Sequence, residues 1–364
     1  MVIAIDLTSL SYHLTGIERY AANVSNKMIE QDVSNYYILI FRNEIYPLFK
    51  NKIDGKRVIA KILQGNHKLI FYQIVLPYNL YKIKADRYLF LAFNSPIIFK
   101  KKGMYNTIHD MGAWDSPGAM KKLQRLYWRV TIRVAAKFSE GIITVSEFSK
   151  RRISELLKYP KEKIYVVYSA VSEEITKTYN LNYNVIKNKY HLPDKYIMTL
   201  STLEPRKNIT VLLKAFSKVA DKVDYDLVLV GRKGWMMDTV LEQHDAQKRI
   251  HITGFVKDEH ISLIYKNALC FIFPSLYEGF GLPPVEALAL GIPVIASDAA
   301  SIPEILHKQA MYFKNNSVSE LENILIGLEK HLNMMPHGLN EYQRKEYNFE
   351  RSANKVLRLI EADN

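Results

Sequence analysis

Short apolar runs alternate with amphipathic stretches along the whole chain, and this alternation limits the fold more than any other feature. In the first half the runs are "VIAIDL", "YYILIF", "RVIAKIL", "RYLFLAF", "YNTIHD", "GIITVS" and "KIYVVYSA". In the second half they are "KYIMTLS", "YDLVLVG", "IHITGFV", "CFIFPS", "IPVIASD" and "AMYFK". Runs this short, rich in Ile, Val, Tyr and Phe, read as strands. Between them, "GIERYAANVSNKMIEQ", "EFSKRRISELL", "NITVLLKAFSKVA", "DEHISLIYKNA" and "SVSELENILIGLEKHL" carry helical spacing. Strand and helix in alternation give parallel sheets covered on both faces. Two such series predict an α/β chain of two Rossmann-like domains facing across a cleft. The first domain is expected over residues 1–178 and the second over 179–345. The polar stretch 172–194 reads as the linker between the series, and residues 346–364 as a last amphipathic helix.

Length and composition fit that frame. A chain of 364 residues holds two domains of ordinary size, and 48% hydrophobic with 24% charged residues excludes disorder. The one cysteine, Cys270, lies in "ALCFIF" and reads as core, so no internal disulfide forms. No run reaches the roughly 18 uninterrupted apolar residues of a membrane span. The N-terminal "MVIAIDLTSL" carries Asp6 within its apolar run and reads as a strand rather than a signal peptide. A cytoplasmic location is the expectation. The formal charge of +13 is confined to residues 1–180, while residues 181–364 are balanced. The first half is therefore expected to meet something anionic: nucleic acid, a membrane surface or a charged acceptor.

In open α/β sheets, ligands sit beyond the carboxyl ends of the strands. The stretch "EGFGLPPVEALALG", residues 278–291, follows such a strand. Gly279 and Gly281 allow unusual backbone angles, and proline suits a first helical turn. A helix is expected to begin near Pro283–Pro284, with Glu286 in its first turn and Glu278 on the preceding loop. Amides at a helix N-terminus favour phosphate, and carboxylates bind hydroxyls. A nucleotide-sugar presents both groups. Arg206 and Lys207 follow another strand and suit a diphosphate. Gly16, in "TGIERY", opens the first helix. Singly, each also reads plainly: Glu286 as a helix-start carboxylate, Arg206–Lys207 as a solvated pair, Gly16 as a turn.

Taken together, these residues resemble the retaining glycosyltransferases of family 4, which have the GT-B fold. The EX7E spacing of Glu278 and Glu286 carries the resemblance, with "EPRKN", "VLVGRKGW", "ITGFV" and "TIHD" in the expected order. The resemblance implies that Glu286 binds donor ribose and Glu278 the transferred sugar. It places the amides around Phe280, Gly281 and Leu282 at phosphate and sugar. Arg206 and Lys207 would neutralise the leaving diphosphate, Gly16 would admit the first loop to it, and Val256 would meet the base. His109 and Asp110 would face the sugar from the first domain, His109 as a basic donor beside the departing group. The C-terminal helix 346–364 is expected to return to the first domain. In one respect the chain departs from many relatives, which carry a Gly-Gly pair where this one has Gly16 alone.

The reaction implied is a front-face displacement, with no cofactor and no metal. Asp224 and Asp226 form an Asp-x-Asp pattern, but they precede a strand, away from the ligand end, and read as solvated. The donor implied is GDP-mannose or a deoxythymidine-diphosphate rhamnose, and the acceptor a lipid-linked or oligosaccharide chain in surface-polysaccharide assembly. Two other classes compete. A basic nucleic-acid-binding α/β protein would account for the charge and leave the EX7E unit unexplained. A dinucleotide oxidoreductase needs G-x-G-x-x-G, and "GFGLPP" breaks that pattern.

The charge asymmetry finds a helix in "MKKLQRLYWRVTIRVAAKF", residues 120–138. Lys121, Arg125, Arg129, Arg133 and Lys137 fall on one half of its cylinder, and Leu123, Leu126, Tyr127, Val130 and Val134 on the other. Such a helix is expected to lie on an anionic inner membrane surface, with those cations facing the lipid. A solvated stripe on an ordinary packed helix has the same pattern.

Overall fold

The computed structural model describes residues 1–11, 14–177, 179, 181–201, 204–231 and 247–362. The chain divides into two compact units. The first comprises Met1–Trp114, Lys121–Ala170 and Lys345–Asn364, the second Asp115–Met120 and Val171–Arg344.

In the first unit the seven expected runs are seven strands: β1 (Val2–Asp6), β2 (Tyr36–Arg42), β3 (Val58–Leu63), β4 (Arg87–Phe90), β5 (Met104–Thr107), β6 (Gly141–Thr144) and β7 (Ile164–Val166). They form one sheet in the order β3-β2-β1-β4-β5-β6-β7. Every pairing is parallel. The order turns back between β1 and β4, which are hydrogen-bonded neighbours. β4, β5 and β6 are buried along their full length. Buried faces on both sides are what continuous apolar runs require.

The C-terminal helix, Phe349–Ala362, belongs to this unit and packs against the helix Gly16–Gln31. Its Val356 and Ile360 are fully buried. Arg87, itself buried, donates from Nε to the Ile360 carbonyl at 2.8 Å, and Ser352 Oγ to the Tyr168 carbonyl at 2.8 Å.

The second unit carries β8 (Tyr196–Leu200), β9 (Asp226–Val230), β10 (Ile250–Gly254), β11 (Phe271–Phe273), β12 (Val294–Ser297) and β13 (Ala310–Phe313). Their order is β10-β9-β8-β11-β12-β13, again parallel throughout, with the reversal between β8 and β11. Cys270 lies in its core, where burial pushes the thiol far up from its ordinary value.

Two details differ from the sequence reading. The division falls at Ala170/Val171 rather than 178, because the short helix Glu173–Thr176 packs on the helix Asp258–Lys266 and buries Ile175. The supposed linker 172–194 also holds the helix Tyr183–Tyr190, capped by the Asn182 side chain accepting from the Asn184 amide. Its few apolar residues concealed the helical period.

Gly103 offers a test of this packing. It sits before β5 with φ +76°, and an added Cβ would stand 2.0 Å from the Asp86 carbonyl oxygen. Gly103→Ala should destabilise the first unit by about 1–3 kcal/mol. Thermal denaturation should show a melting temperature several degrees lower. An unchanged melt would mean that the backbone between β4 and β5 yields to a methyl group.

Candidate functional site

The reversal between β8 and β11 sends the two following loops to opposite sides and leaves a crevice at their strands' carboxyl ends. Expected residues from both loops meet there. After β8, Glu204 leads into a single 3-10 turn, Pro205–Lys207, and Asn208 takes the left-handed conformation, φ +53°, before the helix Ile209–Val219. Thr202 and Leu203 of the same motif lie outside the described residues. The loop after β11 binds back through its main chain, the Leu276 amide donating to the Arg206 carbonyl at 2.9 Å.

Glu278 is the centre of the arrangement. Lys207 Nζ lies 2.6 Å from its Oε1, and Arg206 Nη1 lies 3.2 Å from its Oε2. Arg206 Nη1 also donates to the Tyr277 carbonyl at 3.0 Å. Ser301 Oγ donates to the Glu278 carbonyl at 2.9 Å, which anchors the loop from behind. Glu278 is only 7% exposed. Burial pushes its carboxyl up, but the adjacent Lys207 and Arg206 outweigh it and hold the group below its ordinary value. It is ionised at neutral pH. Burial pulls the Lys207 ammonium below its ordinary value, against the attraction of Glu278 that raises it; with Arg206 also on the carboxylate, the cluster favours an anion. The sequence reading assigned the carboxylate and the cations to different groups of one ligand. The structure shows them also bound to each other, across 71 and 72 positions of sequence.

Gly281 takes φ +91° and caps the helix Leu282–Ala289. That helix starts at Leu282, so Glu286 is its fifth residue and stands in the second turn, not the first. The two prolines fit inside the first turn because their missing N–H groups would have no helical acceptor there. Phe280 and Glu286 are buried. Val256, after β10, is buried as well. Gly231, after β9, has φ +134°, and a Cβ there would meet the Ser201 carbonyl oxygen at 2.0 Å. The rest of that motif, Arg232 to Trp235, lies outside the described residues.

In the first unit, Gly16 is the first residue of the helix Gly16–Gln31, and the Thr15 amide donates to Glu18 Oε2 at 2.8 Å. Tyr20 of that helix meets the His109 ring edge-on, with centroids 5.2 Å apart. His109 Nε2 lies 3.0 Å from the Leu91 carbonyl, so Nε2 carries the hydrogen. Burial lowers the imidazole to about 4, against a rise from the Leu91 hydrogen bond. His109 is thus held as a neutral imidazole whose Nε2 hydrogen goes to main chain. Asp110 Oδ1 accepts from the Gly112 amide at 2.8 Å. Sequence reasoning passed over Asp6, at the end of β1 beside that sheet's reversal. It is buried, accepts from Thr8 and from the Tyr72 hydroxyl, and is raised by burial against those bonds. A carboxylate inside an apolar strand run was the available signal.

Two other expectations change in detail. Asp224 is exposed, as expected, and pairs at the surface with Lys195 at 2.6 Å, whereas Asp226, which opens β9, is half-buried and pairs with Arg249 at 2.9 Å and His251 at 2.6 Å. The helix Lys122–Phe138 buries Thr131, Ile132, Ala135 and Ala136. Leu123, Leu126 and Val130, expected on its apolar face, are exposed. Lys121, Arg133 and Lys137 are exposed, and Arg125 is half-buried. Arg129 donates to the Ala113 carbonyl at 2.9 Å and, with Arg133, lies over the Trp114 ring.

Comparison with known proteins follows the same division of the chain. Residues 14–175 match the model of Glycosyltransferase Family 4, and residues 184–346 that of Glycosyl transferases group 1. The O-antigen chain mannosyltransferase B of Escherichia coli is 27% identical over 329 residues, 86% of each chain. Among solved structures, a sucrose-phosphate synthase from Thermosynechococcus elongatus superposes with a TM-score of 0.74 at 17% identity over 100% of both chains. Anabaena HepE, solved with UDP-glucose, gives 0.67 at 15% identity, over 99% of this chain and 95% of that one.

The state of His109 is open to direct measurement. The group's folded value of about 4 lies below the ordinary 6.5. Between those values the unfolded chain takes up a proton that the folded chain refuses. The stability that depends on neutral His109 is therefore present above pH 6.5 and lost as pH falls toward 4. Its imidazole resonances should stay still between about pH 5.5 and 8. His109→Gln should flatten the acid limb of the thermal stability profile. A His109 titration near neutrality would contradict a neutral ring held by the Leu91 carbonyl.

Proposed function

The chain belongs to the glycosyltransferases, built as the GT-B pair of Rossmann-like domains of the family 4 type, and from that premise we propose that it moves a mannose or a rhamnose, with retention of configuration, from a nucleotide-sugar to a lipid-linked or growing surface-polysaccharide acceptor. The observation that supports this most is the ionised Glu278 held between Arg206 and Lys207 at the reversal of the second sheet. The name of the Escherichia coli relative favours mannose, and hence GDP-mannose as donor, over a deoxythymidine-diphosphate rhamnose.

In the proposed reaction the bond from the sugar's anomeric carbon to the diphosphate oxygen breaks. A bond from that carbon to an acceptor hydroxyl oxygen forms on the same face. The hydroxyl proton passes to the departing phosphate. Arg206 and Lys207 stabilise the charge that grows on the diphosphate, as preorganised cations do in a site screened from water. Glu278, tied by both cations, orients sugar hydroxyls rather than attacking carbon. Glu286 takes the ribose, the amides of Phe280, Gly281 and Leu282 the phosphate and sugar, and Val256 the base. Gly16, His109 and Asp110 serve the same donor from the first domain, His109 as a neutral group. The two cations supply the charge that a divalent ion would otherwise bring, so the reaction is metal-independent. The lipid-linked acceptor places the enzyme on the cytoplasmic membrane face as a peripheral protein. Among the described residues no helix is long and apolar enough to cross a membrane.

A thermal-shift screen across nucleotide-sugars identifies the donor, and the anomeric configuration of the product tests retention. Arg206→Ala with Lys207→Ala should lower turnover by about 10²–10³-fold, the usual loss of about 2.7–4 kcal/mol of transition-state charge stabilisation. Glu286→Gln should raise the donor KM, and Glu278→Gln should chiefly lower kcat. Near wild-type kinetics in the double variant would remove the diphosphate from this site. Full activity is expected in excess EDTA; loss that Mg²⁺ or Mn²⁺ restores would overturn the metal-independent mechanism.

A further inference from the structure

Between β3 and β4 the chain runs helically from Lys68 to Lys82: Lys68–Ile70, a π turn Phe71–Val75, then Leu76–Lys82. Phe71, Leu76 and Leu80 enter the core under the first sheet. The opposite face is apolar too. Leu69, Ile70, Ile74, Tyr78 and Tyr81 are exposed by 46–61%, and Ile98 by 55%. Ile98 continues the same surface, because the Tyr81 hydroxyl donates to the Ile98 carbonyl at 2.8 Å and accepts from the Lys100 amide at 3.0 Å. Surface helices normally turn polar residues outward, so a contiguous apolar outer face marks a contact.

Cations surround this face. Residues 68–102 hold Lys68, Lys82, Lys84, Lys100, Lys101 and Lys102, the buried Arg87 and a single acid, Asp86. Lys82 Nζ lies over the Tyr78 ring, 3.9 Å from its centroid. A cavity of about 470 Å³ opens beside the far end, lined by Lys84, Lys101, Lys102, Asp86 and Tyr88 among others. At the near end Gln73 donates to the Tyr127 hydroxyl at 2.9 Å, which joins this helix to Lys122–Phe138 and its exposed Leu123 and Leu126.

We propose that the outer face of residues 68–82, with Ile98, seats the chain on an anionic phospholipid bilayer. The apolar side chains enter the headgroup boundary, and the lysines meet lipid phosphates. This refines the membrane attachment proposed above. It makes the apolar face of residues 68–82 the principal contact, with the helix 122–138 as its margin. The charge decides the occupant. A second copy of the chain would bring lysine against lysine, whereas an anionic surface complements both the apolar face and its rim.

The test is co-sedimentation of the full chain, without substrate, on vesicles of phosphatidylglycerol with phosphatidylcholine and on phosphatidylcholine alone. The wild type should pellet with the anionic vesicles and be released in part by salt. Ile74→Ser with Tyr78→Ser should lose binding at least about tenfold at low salt, and Lys82→Gln with Lys84→Gln should lose most of its salt-sensitive part. Arg125→Gln with Arg133→Gln should change binding far less. All these positions lie at the surface or are half-buried, and circular dichroism confirms the fold. Transfer to a soluble acceptor should be unchanged in the Ile74/Tyr78 variant, so a failed donor assignment and a failed docking surface give different results. Undiminished binding of that variant, or no preference of the wild type for anionic vesicles, overturns the proposal. So does a dimer in light scattering that the same variant dissociates.

Discussion

A carboxylate taken out of water at a loop must be neutralised where it stands, and in this chain Glu278 is neutralised by the two cations of another loop. Removal of Glu278 would leave two neighbouring cations without their counter-charge, a loss of about 3–5 kcal/mol in comparable settings. The loop after β11 and the turn after β8 therefore hold each other in place, with the Leu276–Arg206 main-chain bond and the Ser301 anchor as supports. That mutual hold also prepares the site. When an anionic ligand approaches, Arg206 and Lys207 need not be ordered first, because Glu278 has already ordered them.

The strand order makes the pairing possible. β8 and β11 are neighbours in space, while β9 and β10 lie to one side and β12 and β13 to the other. Consecutive crossover helices must go to opposite faces at such a reversal, and the loops there part instead of covering the strand ends. The first sheet repeats the geometry at β1 and β4. Around that reversal stand Asp6, Tyr72 and the Leu91 carbonyl that holds His109. Each unit thus brings a titratable group to the reversal of its own sheet, in different charge states: Glu278, buried and ionised by its cations, and His109, half-buried and neutral.

Much of this was legible beforehand, because parallel strands buried on both faces advertise themselves as apolar runs. Helix starts were legible where a glycine marked them, as at Gly16. The start at Leu282 was misplaced by a residue or two, since prolines mark a first turn without saying which position of it they occupy. The bond between Glu278 and Lys207 was not legible, for no local pattern records a contact between residues 71 apart. The helix 122–138 misled for another reason. Amphipathic spacing shows that two faces differ, but Leu123 and Leu126 face outward while Thr131 and Ala135 face in. Along residues 68–82 both faces are apolar, and period alone cannot say which one is the core.

The return of the C-terminal helix to the first unit has a consequence for synthesis. Residues 171–344 are contiguous, apart from the short segment 115–120 that joins them, and can close their sheet while the chain is still being made. The first unit, though begun earlier, lacks the helix Phe349–Ala362 that covers Gly16–Gln31 until that helix has been made, after the whole of the second unit. A nascent chain stopped before residue 345 would carry a finished second unit beside a first unit whose helix Gly16–Gln31 lacks its partner, a substrate for chaperones rather than an enzyme.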